Sequence, residues 1–261
     1  MDRKMTALIS TRTLAEAPEL TDASQRVIAD GWPAFVLATP VAAALWPRVL
    51  REFADYQVVL VDDSAGSVVG TGHSLPLAWD GTVRGLPAGW DAAVEQAIDD
   101  HDQGRSPTAA VGLSATVAGS HRGRRLSRQV IQALRSAAAE HGHRALVLPV
   151  RPNRKSAYPL IPMESYVSWT TPEGLPFDPW LRVHVRLGGR IVAVCPESMR
   201  ITGSVADWEG WTGMRFPGGG QHVVPDALVP VEIDLARDEG VYIEPNVWVE
   251  HDLREVDGPM G

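Results

Sequence analysis

Hydrophobic positions along this chain follow two patterns, and each predicts a different kind of element. Continuous or alternating apolar runs predict strands, and they cover residues 56–61, 67–77, 109–117 and 145–150. Apolar positions three or four apart predict helices over residues 13–31, 40–53, 91–101 and 126–140. The last helix is the clearest, because Leu126, Val130 and Leu134 share one face and Gly142 follows as a stop signal. We also expect Asp91 to cap its helix and Pro47 to break or kink the helix over 40–53.

After residue 150 the pattern becomes less regular. Residues 151–178 are rich in proline and aromatic side chains and show no clear period, whereas Asp178 and Pro179 together predict a helix start and Gly188 its end. The remaining predicted elements are a strand over 190–194, a short helix over 204–211, and a hairpin of strands over 228–234 and 241–249. Because neither a repeat nor a linker interrupts the chain, we predict one domain over 1–261. Its core would span about 13–200 and a C-terminal β elaboration about 201–261.

Composition narrows the class of protein. The 261 residues are 44% hydrophobic and 21% charged, as is typical of a soluble globular domain. A net charge of −8 disfavours nucleic acid as a partner, and the longest apolar stretch, 33–47, is too short to cross a membrane. One cysteine and no signal-peptide pattern predict a cytoplasmic protein. The nine tryptophans either fill the core or form the walls of a cleft.

The most informative local motif is the stretch 117–127, which connects the strand over 109–117 to the helix over 126–140. A glycine between basic residues at such a turn leaves several backbone N–H groups unpaired beside a helix N-terminus and several arginines. That arrangement suits a phosphate or pyrophosphate group. The alternative is an ordinary turn with solvated arginines.

This stretch resembles the acyl-CoA site of the GNAT acyltransferase superfamily, an Arg/Gln-x-x-Gly-x-Gly/Ala turn between the fourth strand and the following helix. Two positions differ: Ser120 stands where the family usually has Gln or Arg, and Arg125 where it usually has Gly or Ala. The resemblance implies an α/β fold with a mixed, largely antiparallel sheet flanked by helices. It also implies acetyl-CoA or another acyl-CoA as co-substrate, with no metal. The residues that the resemblance assigns to the co-substrate are Val117, Arg122, Gly123, Arg124, Arg125, Leu126, Ser127 and Asn153. The whole chain, including Trp-Asp-Gly at 79–81 and Glu-Pro-Asn-Val-Trp at 244–248, is similar to an actinobacterial subgroup of this superfamily with undefined substrate.

A candidate for the general acid follows from the same resemblance. In the family a helix often ends in Tyr-x-x-x-Gly-Phe, with the tyrosine hydroxyl near the CoA sulfur. Counting back four positions from Gly188 leads to His184, and Trp180, Val183, His184 and Leu187 share one face of the helix. His184 could protonate the leaving thiolate or help to deprotonate the incoming amine. The alternative is a core histidine held by one hydrogen bond.

Candidates for a base or a substrate anchor are Asp80, His73 and Glu244. For Asp80 the alternative is a turn aspartate before Gly81, and for Glu244 a solvated strand residue. Other chemistries lack their motifs, since the chain contains neither Gly-x-Ser-x-Gly nor a P-loop nor Gly-x-Gly-x-x-Gly.

The resemblance therefore implies acyl transfer from an acyl-CoA, acetyl-CoA first, to an amine of a small molecule that attacks the thioester directly. Two alternatives remain at this point: an inactive protein that binds acyl-CoA or another ligand, and an acyl-CoA hydrolase. The sequence also leaves a homodimer open.

Overall fold

A single twisted sheet organises the computed structural model, which describes residues 8–254. Within this range the sheet has nine strands, ordered β1-β2-β3-β4-β5-β9-β8-β7, and β6 pairs with β9 off that path. Only β4 and β5 run parallel; every other neighbouring pair is antiparallel. The predicted mixed, largely antiparallel sheet is thus confirmed. The strands are β1 Ile9–Thr13, β2 Val58–Asp62, β3 Ser67–Leu77, β4 Ala109–Val117, β5 Ala145–Val150, β6 Arg190–Gly203, β7 Gly220–His222, β8 Val231–Asp234 and β9 Glu239–Asp252.

Helices cover the sheet, and among the described residues none is long and apolar enough to span a bilayer. Val130, Ile131 and Leu134 of α5 are completely buried, as the apolar face of that helix predicts. Asp178 caps α7 by accepting hydrogen bonds from the backbone N–H groups of Trp180 and Leu181. The helices are α1 Thr21–Gly31, α2 Ala34–Leu37, α3 Pro40–Glu52, α4 Trp90–Asp102, α5 Leu126–Glu140, α6 Met163–Val167, α7 Pro179–Arg186 and α8 Val205–Thr212.

Two local predictions were wrong, and of the break or kink predicted at Pro47 the break is absent. The first helix begins at Thr21 rather than at residue 13, because residues up to Thr13 pair with β2 and Pro18 starts a separate 3-10 turn. Helix α3 runs through Pro47 without a break. Gly89, not Asp91, is the N-cap residue of α4; the Asp91 carboxylate instead accepts a hydrogen bond of 2.8 Å from the backbone N–H of Arg200 and so ties α4 to β6.

Residues 201–252 contribute strands to the main sheet. Residues 247–252 of β9 pair with β5, and its first residues pair with β8. The strand predicted over 190–194 continues to Gly203 and pairs along most of β9, with irregular register between Cys195 and Met199. Because β9 pairs with β5, the end of the chain borders any site that lies beside β5.

Strands β4 and β5 separate soon after they meet. They pair only at Ala110–Leu146 and Val111–Val147. Gly112 follows directly, and a Cβ there would lie 2.5 Å from Leu148 Cδ2, so any larger residue would require the Leu148 side chain to shift. The register of β4 against β3 also shifts between the pairs His73–Ser114 and Ser74–Gly112, which leaves Leu113 as an extra bulged residue. A cleft opens where the two carboxyl ends diverge.

Candidate functional site

The cleft between the separating strands contains a cavity of about 820 Å³, here called the first cavity. Residues 112–117 of β4 and residues 148–151 line it from the two strands, and residues of α7 and the start of α5 complete the lining. It is lined by most of the predicted co-substrate residues and by the predicted acid: Val117, Arg122, Gly123, Arg125, Leu126, Ser127, Asn153 and His184.

The start of α5 has the geometry of an anion site. Gly123 has φ +80°, a conformation that favours glycine, and Arg125 adopts the left-handed region with φ +62° at the N-cap position. In the described part of the chain, the N-cap side chain makes no hydrogen bond to the first N–H groups of this 15-residue helix. Exposed Arg122, Arg124 and Arg125 surround them. Unpaired N–H groups, the helix dipole and guanidinium groups together favour a phosphate at this end of the first cavity.

His184 is completely buried in the wall formed by α7. Its Nδ1 lies 3.0 Å from Nε2 of His251, which is also buried. Within residues 8–254, His184 Nε2 and His251 Nδ1 have no hydrogen-bond partner. Burial, with a smaller contribution from His251, lowers the pKa of His184 to about 3, so its ring is neutral at pH 7.

A second cavity of about 470 Å³ lies on the other side of the strand ends. Trp32, Trp46 and Trp90 form much of its wall together with aliphatic residues from α1, α2 and α3. Some of the nine tryptophans therefore line a cleft, while Trp208 and Trp248 lie in the core. The two cavities share five lining residues and so meet at the strand ends: Trp32, Leu113, Ser114, Pro149 and Arg151.

The polar end of the second cavity is an ion pair. Glu244 is completely buried, and its oxygens accept hydrogen bonds from Arg151 Nε at 2.9 and 3.0 Å, from the Tyr242 hydroxyl at 2.9 Å and from Asn246 Nδ2 at 3.1 Å. Burial raises the pKa of Tyr242, which therefore acts as a neutral donor. Each oxygen of Glu244 has two donors, so the carboxylate is occupied in holding Arg151 at the junction of the cavities.

A chain of polar groups lines the other side of this junction. Ser114 Oγ lies 2.9 Å from Nδ1 of His73, and Gln25 Nε2 lies 3.4 Å from the opposite nitrogen, His73 Nε2. Trp46 Nε1 donates to Gln25 Oε1 at 2.7 Å. His73 is completely buried, which lowers its pKa to about 3.

The structure does not bring every predicted residue to the cleft. Asp80 is exposed and lines neither cavity; its carboxylate accepts a hydrogen bond of 2.8 Å from the backbone N–H of Thr82 in a local turn. Arg124 also lies outside both linings.

Sequence reasoning missed Arg151, Ser114 and Gln25. Arg151 directly follows the apolar run 145–150, and side chains at the carboxyl ends of neighbouring parallel strands converge, so this signal was present. Ser114 lies three residues before the carboxyl end of the strand over 109–117, so its position near a strand end was a signal of the same kind. No local signal separates Gln25 from any other helix-surface glutamine.

Comparison with known proteins places this geometry in context. No family model matches the chain. The arginine N-acetyltransferase avaD of Aspergillus versicolor is 33% identical over 274 aligned positions, which cover 94% of each chain. Among solved structures, the loading GNATL domain of CurA from Lyngbya majuscula has a TM-score of 0.59 at 15% identity, with 95% of this chain and 98% of that one covered. The GphF GNAT-like decarboxylase, solved in complex with isobutyryl-CoA, also has a TM-score of 0.59, at 19% identity and with 95% and 100% coverage.

Proposed function

This chain belongs to the GNAT superfamily of N-acetyltransferases, and from that premise we propose that it moves the acetyl group of acetyl-CoA to a nitrogen of arginine or a closely related small molecule. Acyl-CoA-dependent transfer to an amine follows from family membership. Arginine as acceptor and acetyl as acyl group are taken from the name of the relative that is similar over nearly the whole chain.

The observation that supports the proposal is the meeting of two cavities at the ends of β4 and β5. Direct transfer requires a long donor molecule and an acceptor to reach one point from different sides. Here the first cavity runs from the basic turn at α5 to the junction, and the second cavity reaches the same junction from the side of α1 and α3. A site that binds a single ligand would not need two cavities that meet.

For the donor, we assign the pyrophosphate to the N-terminus of α5, with Arg122, Gly123, Ser127 and the backbone at Leu126 around it. The side chains of Arg124 and Arg125 add positive potential from the exposed side of the turn. The pantetheine arm would lie beside Val117 and Asn153, which both line the first cavity.

For the acceptor, we assign the second cavity. A guanidinium or ammonium group interacts favourably with the faces of indole rings, and Trp32, Trp46 and Trp90 supply three of them. Glu244 also lines this cavity, and its charge is balanced by Arg151, whose Nε lies 2.9 Å from a Glu244 oxygen. We therefore assign Glu244 the role of holding Arg151 at the junction rather than that of the base, because its oxygens already have their donors.

Acyl transfer joins the acceptor nitrogen to the thioester carbon and breaks the carbon–sulfur bond. The sulfur leaves with the bonding electron pair, and the nitrogen gives up one proton. We propose that His184 passes this proton from the nitrogen to the thiolate sulfur. Since its pKa of about 3 keeps the ring neutral, His184 would act as a hydrogen-bonding relay rather than as a preformed imidazolium acid.

The remaining expectations stay part of the proposal: a single cytoplasmic domain that uses no metal, nucleic acid or membrane. The net charge of −8 supports the absence of a nucleic-acid partner. Within residues 8–254, the one cluster with metal-ligand spacing is Glu52, His101 and Asp102. It lies outside both cavities, and both of its carboxylates bond to Arg48.

The test is release of free thiol from acetyl-CoA, followed with and without acceptors. Arginine, agmatine and lysine form the first panel, because they differ in the carboxylate and in the terminal nitrogen group. We expect thiol release that depends on arginine or agmatine, together with an acetylated product of matching mass. Thiol release without an acceptor would identify a hydrolase, and CoA binding without thiol release a binding protein.

A further inference from the structure

The hydrogen-bond chain Trp46–Gln25–His73–Ser114 ends at the junction of the two cavities, and the assignments above use only the Trp46 ring from it. Its members come from four elements: α3, α1, β3 and β4. Three of them, Gln25, Trp46 and Ser114, line the second cavity, and Ser114 also lines the first. The chain therefore connects the wall of the acceptor cavity with the point where donor and acceptor meet.

The donor and the acceptor of each hydrogen bond in this set follow from its Trp46 end. An indole N–H can only donate, so Gln25 Oε1 must accept from Trp46 Nε1 at 2.7 Å. The other group of the same amide, Nε2, then faces His73 and donates to its Nε2 over 3.4 Å. A neutral histidine that accepts at Nε2 carries its hydrogen on Nδ1. His73 Nδ1 thus donates to Ser114 Oγ at 2.9 Å.

Burial keeps His73 in this single state. The ring is completely buried and lies with its centroid 5.1 Å from that of the Trp46 ring. Its pKa of about 3 leaves one ring hydrogen at any pH near neutrality. Within the described part of the chain, His73 is the hydrogen-bond partner of Ser114 Oγ. The hydroxyl hydrogen is consequently left for a group in the cleft.

We infer that Ser114 is a catalytic hydrogen-bond donor to the thioester carbonyl oxygen, and that Trp46, Gln25 and His73 are positioning residues that fix its hydroxyl as a donor. This inference rests on the proposed acyl transfer. When the acceptor nitrogen bonds to the carbonyl carbon, the π electron pair moves onto the oxygen, which becomes negative. Ser114 stabilises that charge until the pair returns and the thiolate leaves. Hydrogen bonds in a chain polarise one another, which strengthens the terminal donor.

The first experiment removes the donor. Removal of one donor to such an oxyanion typically costs 10²- to 10³-fold in kcat. We expect Ser114→Ala to lower kcat about 10²-fold with little change in KM for either substrate. Infrared spectroscopy of bound acetyl-CoA with a ¹³C-labelled carbonyl supplies a readout besides turnover. The carbonyl stretch should lie at lower frequency in the wild-type complex than in the Ser114→Ala complex.

The second experiment keeps Ser114 and exchanges donor and acceptor in the hydrogen bonds that His73 makes. A glutamate at position 25 accepts from Trp46 and also from His73 Nε2, which moves the ring lone pair to Nδ1. Ser114 then donates to His73 instead of to the carbonyl. A neighbouring carboxylate favours the charged form of histidine, so the comparison is made at a pH where the ¹⁵N shifts of His73 show a neutral ring in the variant. There we expect Gln25→Glu to lose about as much kcat as Ser114→Ala and to shift the carbonyl stretch equally. Gln132→Glu, on the exposed face of α5, is the matched charge control.

The outcomes separate the inference from the proposed function. A folded Ser114→Ala protein with the wild-type rate and an unshifted carbonyl stretch would overturn the inference. So would a Gln25→Glu protein that keeps the wild-type stretch while Ser114→Ala loses it, because the direction of the chain would then be wrong. If wild-type protein binds acetyl-CoA with a shifted stretch but transfers nothing, the proposed function fails while the donor assignment stands.

Discussion

Substitution of Gly123 tests the assignment of the basic turn most directly. Gly123 has φ +80°, and an added Cβ meets no atom within 4 Å, so a side chain there costs backbone strain rather than a clash. An L-residue in this conformation loses about 1 kcal/mol of stability. In Gly123→Asp the new carboxylate also lies at the lining of the first cavity. At about 5 Å from a phosphate, in an effective dielectric of about 40–80, like charges repel by about 1–2 kcal/mol.

These two contributions appear in different measurements. The strain lowers the melting temperature of the free protein, whereas the repulsion weakens CoA affinity by at least about 10-fold, which corresponds to about 1.4 kcal/mol. Isothermal titration with CoA at low and high salt measures the second contribution, and salt should reduce it. Gly123→Ala isolates the strain. Gly119→Asp places the same charge in the same turn, without a positive φ and outside the cavity lining, and should bind CoA nearly normally. A folded Gly123→Asp protein with unchanged CoA affinity would refute the assignment.

Three further predictions follow from the site. His184→Ala should lower turnover about 10²-fold while CoA affinity stays nearly intact, and His184→Tyr should recover part of the rate; a stable His184→Ala protein with wild-type initial rates would contradict the assigned role. Arg125→Ala should weaken CoA more than dephospho-CoA in parallel titrations if its side chain reaches the 3′-phosphate, and equal weakening would exclude that contact. His73, His184 and His251 have pKa values lowered by burial to about 3, 3 and 4, so below pH 6.5 the unfolded chain binds more protons than the folded one. The free energy of unfolding should therefore fall with pH below about 6.5, by up to about 1.4 kcal/mol per pH unit for each histidine. Denaturant titrations between pH 7 and 5 measure this, and a flat profile would show that these rings are not held neutral.

The polar side chains at the ends of β4 and β5 are buried around the two cavities. Their burial explains why these polar groups are hydrogen-bonded to one another in connected sets. Glu244 is satisfied by Arg151, Tyr242 and Asn246, and His73 by Ser114 and Gln25. An unpaired polar group at such depth costs about 1–3 kcal/mol. His184 Nε2 lacks a hydrogen-bond partner among the described residues, although the side chain lines the first cavity.

The sequence by itself determined the elements whose signals are local. Helix α5 and strands β4 and β5 have the predicted bounds, because a continuous apolar run or an apolar face with a glycine stop depends only on neighbours in the chain. The basic turn at Arg122–Gly123 lies between β4 and α5 as predicted, and His184 faces inward on α7 as its spacing indicates. Each of these statements rests on one short stretch of consecutive residues.

The tertiary structure alone decided what meets at the junction. Glu244 and Arg151 are 93 positions apart, and Gln25 and His73 are 48 apart, so no periodicity relates them. Their contact depends on where β9 and α1 pack against the sheet, which long-range strand pairing and core packing determine together. The same limit applies to Asp80, whose turn signal was real but whose place in the fold lies away from the cleft. Local propensity determines which element forms, whereas the joint burial of distant apolar faces determines which polar side chains share a cavity.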